Sequence, residues 1–162
     1  YPVELATKIA SDYDMTIIPG IEITRKPGGY YTHLNALFTT DNNAIYDADP
    51  LQSTRNAKAQ GALVMHNHPG WKRVDMSMTK FEKEAYKEGL IDGIEVMNGI
   101  EFYPKAITRA QKYNFFLSSN TDVHYPIAER YGDEFRNFIG PDMRLERVEL
   151  HKDDKVEDLL SY

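Results

Sequence analysis

An α/β fold with a mainly parallel sheet is what this chain of 162 residues predicts, and three observations predict it. Segments of helical periodicity alternate with short apolar runs. Glycine and proline punctuate most of the junctions between them. Side chains able to bind a cation recur where the apolar runs end, as they do when strands deliver their carboxyl ends to one side of a sheet.

Taken in order, "VELATKIASDY" (3 to 13) sets Val3, Leu5, Ala6, Ile9 and Ala10 near one helical face. "MTIIPGIEIT" is an apolar run carrying a glutamate, and "KPGG" (26 to 29) is a turn joining it to "HLNALFTT". In that second strand Leu34, Ala36 and Phe38 alternate to one side. Residues 50 to 60 read as a helix ended by Gly61, and "ALVMHNHPG" as a buried strand running into a turn. "SMTKFEKEAYKEG" (77 to 89) is a helix with a serine cap at Ser77 and a stop at Gly89. "GIEVMNG" is a strand, "YPKAITRAQKY" a helix with Pro104 in its first turn, and "FFLSSNTDVHYP" a strand leading into a polar loop. Residues 126 to 143 read as loop with a short helix at most, "MRLERVELHKD" as a last strand and "KVEDLLSY" as a last helical turn or two. Length and the lack of a linker or repeat indicate one domain over residues 1 to 162.

Composition narrows the chemistry. Twenty-five acidic against 19 basic residues give a net charge of −6, which disfavours binding driven by phosphate neutralisation on nucleic acid. The absence of cysteine excludes disulfides, thiolate zinc sites and cysteine nucleophiles, so oxygen and imidazole must hold any metal. No run approaches the eighteen or so apolar residues of a membrane span. No signal peptide is visible, and the expected compartment is cytoplasmic or periplasmic. The chain opens at Tyr1 and reads as cut from something longer.

Glu22, His68, Asn98, Asp122 and His124 each fall at or just past an expected strand end. If "KPGG" is the hairpin turn, Glu22 faces His33, and directly opposed residues have Cβ atoms about 4.5–5.5 Å apart. A slip of one residue would put His33 on the other face. Asp122 and His124 are two apart, which in an extended segment aims them the same way, and His66 and His68 stand in the same relation. Carboxylate with imidazole suits Zn, Mn or Fe rather than Ca. Each residue alone has an ordinary structural explanation. A lone histidine on a strand is usually hydrogen-bonded, Glu22 could cap a turn, "NHPG" could be only a turn, and "SSNTD" is well made for an Asx turn. Together they favour a site. Arg25, Lys72 and Arg73 are the nearby cations in sequence, against a default of solvated surface charge. Trp71, the sole tryptophan, could wall a pocket, stack on a base or sugar, or belong to the core.

"IPGIEIT", "THLNALF", "MHNHPGW", "GIEVMNG" and "SSNTDVH" resemble, in that order, the later motifs of the polymerase and histidinol phosphatase (PHP) family of metal-dependent phosphoesterases. The resemblance covers roughly residues 1 to 126. It implies a distorted seven-stranded β/α barrel of TIM type, incomplete here on its N-terminal side. It also implies two or three divalent metal ions and small phosphorylated substrates. By that resemblance Glu22 is the bridging carboxylate, and His33 and His68 complete the second metal's ligands. Asp122 binds the first metal and His124 the third, while Asn98 is a polar neighbour of the ligands. His66 has no family role and is expected in the pocket wall. The implied reaction is hydrolysis by water activated between the ions, with Asp122 and His124 at the chemistry; Arg25, three residues after Glu22, is the candidate to take up phosphate charge, with Lys72 or Arg73 as the others. The family's opening His-x-His and "DH" motifs have no counterpart here. If the front strands are absent, the sheet ends in an open edge, and homo-oligomers are then expected. Two other readings stand beside the hydrolase: a catalytically incomplete PHP-like binding or regulatory module, and a nuclease acting on nucleic-acid ends.

Overall fold

The computed structural model describes residues 3–26, 29–73 and 75–122. The elements expected over residues 126 to 162, and His124, lie outside them. The described chain forms α1 (Val3–Ala10), β1 (Gly20–Arg25), β2 (Thr32–Leu37), α2 (Pro50–Ala59), β3 (Leu63–Asn67), α3 (Lys80–Lys87), β4 (Gly93–Asn98), β5 (Glu101–Phe102), α4 (Pro104–Tyr113) and β6 (Phe116–Asn120). Local chemistry explains the helix starts. Asp49 accepts the Leu51 N–H at the start of α2, with Pro50 in its first turn, where a missing N–H costs nothing. The start of α3 differs from expectation: Thr79, not Ser77, is the cap. Thr79 has a glutamate three residues on, so its Oγ1 accepts the Glu82 N–H while Glu82 accepts the Thr79 N–H, which satisfies two donors reciprocally.

The six strands make one mixed sheet rather than a mainly parallel one, ordered β1-β2-β3-β4-β5 with β6 also on β4. β1/β2 and β2/β3 are antiparallel, while β3/β4 and β4/β6 are parallel. Helix–strand alternation cannot reveal this. The α2 connection looks like a crossover, yet Leu37 lies opposite Leu63, so the chain leaves and re-enters the sheet at the same end. β5, two residues long and unforeseen in the sequence, shares one edge of β4 with β3, and β6 takes the other. Among the described residues the sheet is open and does not close into a barrel.

One face of the sheet is covered by helices. Ile23, Leu34, Ala36, Val64 and Ile94 from the strands pack with Leu51 and Ala57 of α2, Phe81, Ala85 and Tyr86 of α3, and Ala106 and Ala110 of α4. β2 shows the division cleanly: Thr32, Leu34 and Ala36 are buried, and His33, Asn35 and Leu37 only partly so. Glu22 and His33 stand on the second face. Because β2 runs against β3, its first residues lie beside the carboxyl end of β3, with His33 opposite Asn67.

Candidate metal centre

The hairpin register differs from expectation by two residues. Glu22 pairs with Asn35, and His33 with Thr24. A shift of two preserves the face, because side chains alternate with period two. Glu22 and His33 are therefore diagonal neighbours on one face, and the Glu22 Oε1 to His33 Nδ1 distance is 3.0 Å.

His68 joins them by leaving the strand. Regular alternation would have sent it to the helix-covered face with His66. Instead β3 ends at Asn67, and His68 takes a φ of +27°, a left-handed backbone that non-glycine residues rarely adopt. Its Nε2 comes to 3.0 Å from His33 Nδ1. Among the described residues, one ligand atom from each of Glu22, His33 and His68 lies within 4.8 Å of the others.

This arrangement fits a cation. His33 Nδ1 is 3.0 Å from the Glu22 carboxylate and 3.0 Å from a second ring nitrogen. One ring nitrogen carries a proton or a lone pair and cannot serve both contacts well. A cation between the three atoms would be met by all of them, in the mixture of imidazole and carboxylate that Zn, Mn or Fe accepts. Asp122 stands on the rim, its Oδ2 3.9 Å from His68 Nε2, with φ of +53°.

The other expected residues are placed differently. His66 does not share the direction of His68 and does not wall a pocket. It is fully buried on the helix side, its Nδ1 2.6 Å from the Tyr86 hydroxyl. Burial pushes its pKa down to about 4, against the pull of nearby Glu82, so the ring is neutral at pH 7. Arg25 is not brought to the cluster. Its guanidinium donates to the Asp47 carbonyl at 3.0 Å, contacts Ser53 Oγ at 3.4 Å and lies over the Tyr46 ring. Arg73 is interior and makes two bonds to Glu82, at 2.7 and 2.9 Å.

Two lysines take the positions that the arginines do not. Lys26 and Lys72 line a cleft of about 280 Å³ with Gly29, Tyr30, Tyr31 and Trp71. The cleft adjoins the cluster, because the Trp71 ring centroid is 5.4 Å from those of both His33 and His68, and Tyr31 is 5.9 Å from His33. Lys72 lies over the Trp71 ring at 4.1 Å, and Lys26 over Tyr31 at 5.1 Å.

Glu95 was missed by the sequence reading. It is 1% exposed, and it accepts bonds from the His68 N–H at 2.5 Å, the Asn98 amide at 3.0 Å and the Asn120 amide at 2.9 Å. Its signal was present: an acidic residue inside the apolar "GIEVM" strand must be satisfied by polar partners. Asn98, expected as a polar neighbour of the ligands, is thus joined to the His68 backbone through this carboxylate.

No family model matches the chain, and no curated protein does. A solved structure does match. It is a two-domain protein from Bacteroides vulgatus ATCC 8482, described as containing a predicted PHP-like metal-dependent phosphoesterase. The two share 34% identity, with a TM-score of 0.70 over 82% of this chain. The match spans 39% of that protein's length.

Proposed function

We propose that this chain carries part of the catalytic domain of a PHP-type, metal-dependent phosphoesterase that hydrolyses small phosphate esters. The convergence of Glu22, His33 and His68 on one point carries the reading, and the likeness to a PHP-like phosphoesterase supports it. Glu22, His33, His68 and Asp122 are the proposed metal ligands, joined by His124. The proposal extends to two or three ions of Zn, Mn or Fe. Bound divalent ions supply charge to stabilise a phosphoryl transition state and lower the pKa of water.

The chain's own residues then do the rest. Lys26 and Lys72, at the cleft beside the cluster, hold the negative phosphoryl oxygens. This assigns to lysines the role the sequence gave to Arg25, whose guanidinium is engaged at the start of α2. Trp71 and Tyr31 form an aromatic wall over His33, which limits water and offers a flat apolar surface to the organic part of the ester. His33 and Asp122 remain accessible enough to meet a substrate, with side chains 17% and 44% exposed.

The test is bound metal and aryl-phosphate turnover, measured for the wild-type protein and for Asp122→Ala and His68→Ala. Both variants should lose activity and bound metal while keeping the wild-type circular dichroism. If both retain metal and turn over substrate like the wild type, the assignment is wrong.

A further inference from the structure

We infer that Glu95 is the positioning residue that turns His68 out of the strand and into the cluster. The inference rests on the metal reading above and deepens it. The strand alternation that puts Leu34 and His66 on the helix-covered face would carry residue 68 there as well. His68 escapes by taking a left-handed φ, a strained conformation for a non-glycine residue that persists only where its surroundings hold it. What holds it is visible. Its backbone N–H donates to Glu95 Oε2 at 2.5 Å, a short bond inside the protein.

Glu95 gathers three strand ends. His68 follows β3, Asn98 closes β4 and Asn120 closes β6, and each donates an N–H to the same carboxylate. These ends deliver His68 and, two residues past Asn120, Asp122. Glu95 is 1% exposed and makes no ion pair among the described residues. Glu95 would therefore act on the cation through the orientation of His68.

The sole tryptophan makes this measurable without turnover. Trp71 lies 5.4 Å from the His33 and His68 rings, so Mn²⁺ entering the cluster should quench its fluorescence. Titration of the metal-free protein with Mn²⁺ is expected to show Glu95→Gln binding about 10–100-fold more weakly than wild type, the usual effect of losing a residue that orients a ligand. Asn120→Ala removes one donor from an exposed side chain and should weaken binding less, with an unchanged melting temperature in metal-free buffer. It decides the matter if Glu95→Gln does not fold. A role confined to stability would lower the melting temperature and leave the Mn²⁺ affinity of the folded variants as in wild type, which would overturn the inference about Glu95 alone. Wild-type protein that takes up no Mn²⁺ would overturn the metal reading, and this inference with it.

Discussion

At the scale of single residues, the two histidines of "HNH" do opposite work. His66 has no exposed surface to speak of and bonds Tyr86 from inside the core. His33 and His68 meet at 3.0 Å on the other side of the sheet. His66→Ala should therefore cost about 2–4 kcal/mol of stability, from a cavity and an orphaned tyrosine hydroxyl. It should leave Mn²⁺ uptake intact in the protein that remains folded. His33→Ala should do the reverse, losing the metal with little change in the melting temperature of the metal-free protein. Thermal unfolding and metal titration of the two variants check the contrast, and loss of metal only in His66→Ala would mean the assignments of the histidines are exchanged.

At the scale of elements, the docking of α3 onto the sheet rests on Glu82. This one carboxylate completes the helix cap, makes two bonds to Arg73 and accepts the Thr32 hydroxyl of β2 at 2.8 Å. Burial alone would raise its pKa, but the bonds from the Arg73 guanidinium and the Thr79 N–H hold it below the usual carboxylate value. A carboxyl whose folded pKa is depressed binds protons more readily in the unfolded chain. It contributes stability that is fully present above the unfolded value and lost as pH falls toward the folded one. Glu82→Gln should flatten the acid limb of the stability–pH curve below about pH 4.5. At pH 7 it should also destabilise by about 3–5 kcal/mol, since it leaves Arg73 buried without its partner. Chemical unfolding across pH for both proteins checks the shape and the offset. The β4–β6 pairing has a comparable weak point. A Cβ on Gly93 would sit 2.3 Å from the Phe116 ring, and Phe116 is its direct partner across the strands. Gly93→Ala should lower the melting temperature by several degrees, whereas Gly61→Ala, open in space but at φ of +81°, should cost only about 1 kcal/mol in backbone strain.

At the scale of the whole molecule, the sheet formed by the described residues is open. Among the described residues β1 pairs with β2 alone, which leaves a row of backbone groups along its second edge. Such an edge recruits another strand. The polypeptide of these 162 residues should associate in sedimentation at micromolar concentration. A cooperatively folded monomer at that concentration would show that the edge is covered. The described residues contain no helix long and apolar enough to cross a membrane.

The order and nature of nine elements were legible in the amino-acid sequence, because periodicity, caps and glycine stops are local signals. The ligand-type residues were legible too, because Glu22, His33 and His68 are conspicuous polar interruptions of apolar strands. Strand direction was not. The α2 connection has the same local pattern whether it returns parallel or antiparallel, and only the pairing of Leu37 with Leu63 decides. The face occupied by His68 was not legible either. Alternation would have kept it with His66, and what separates them is one backbone angle, held by the bond its N–H donates to Glu95, 27 residues further along the chain. The fate of Arg25 turned on a similar contact, since Asp47 and Ser53 reach it only after α2 has docked. Local propensity sets which elements form, but the direction of a side chain at a strand end depends on partners distant in sequence, and these exist only in the folded molecule.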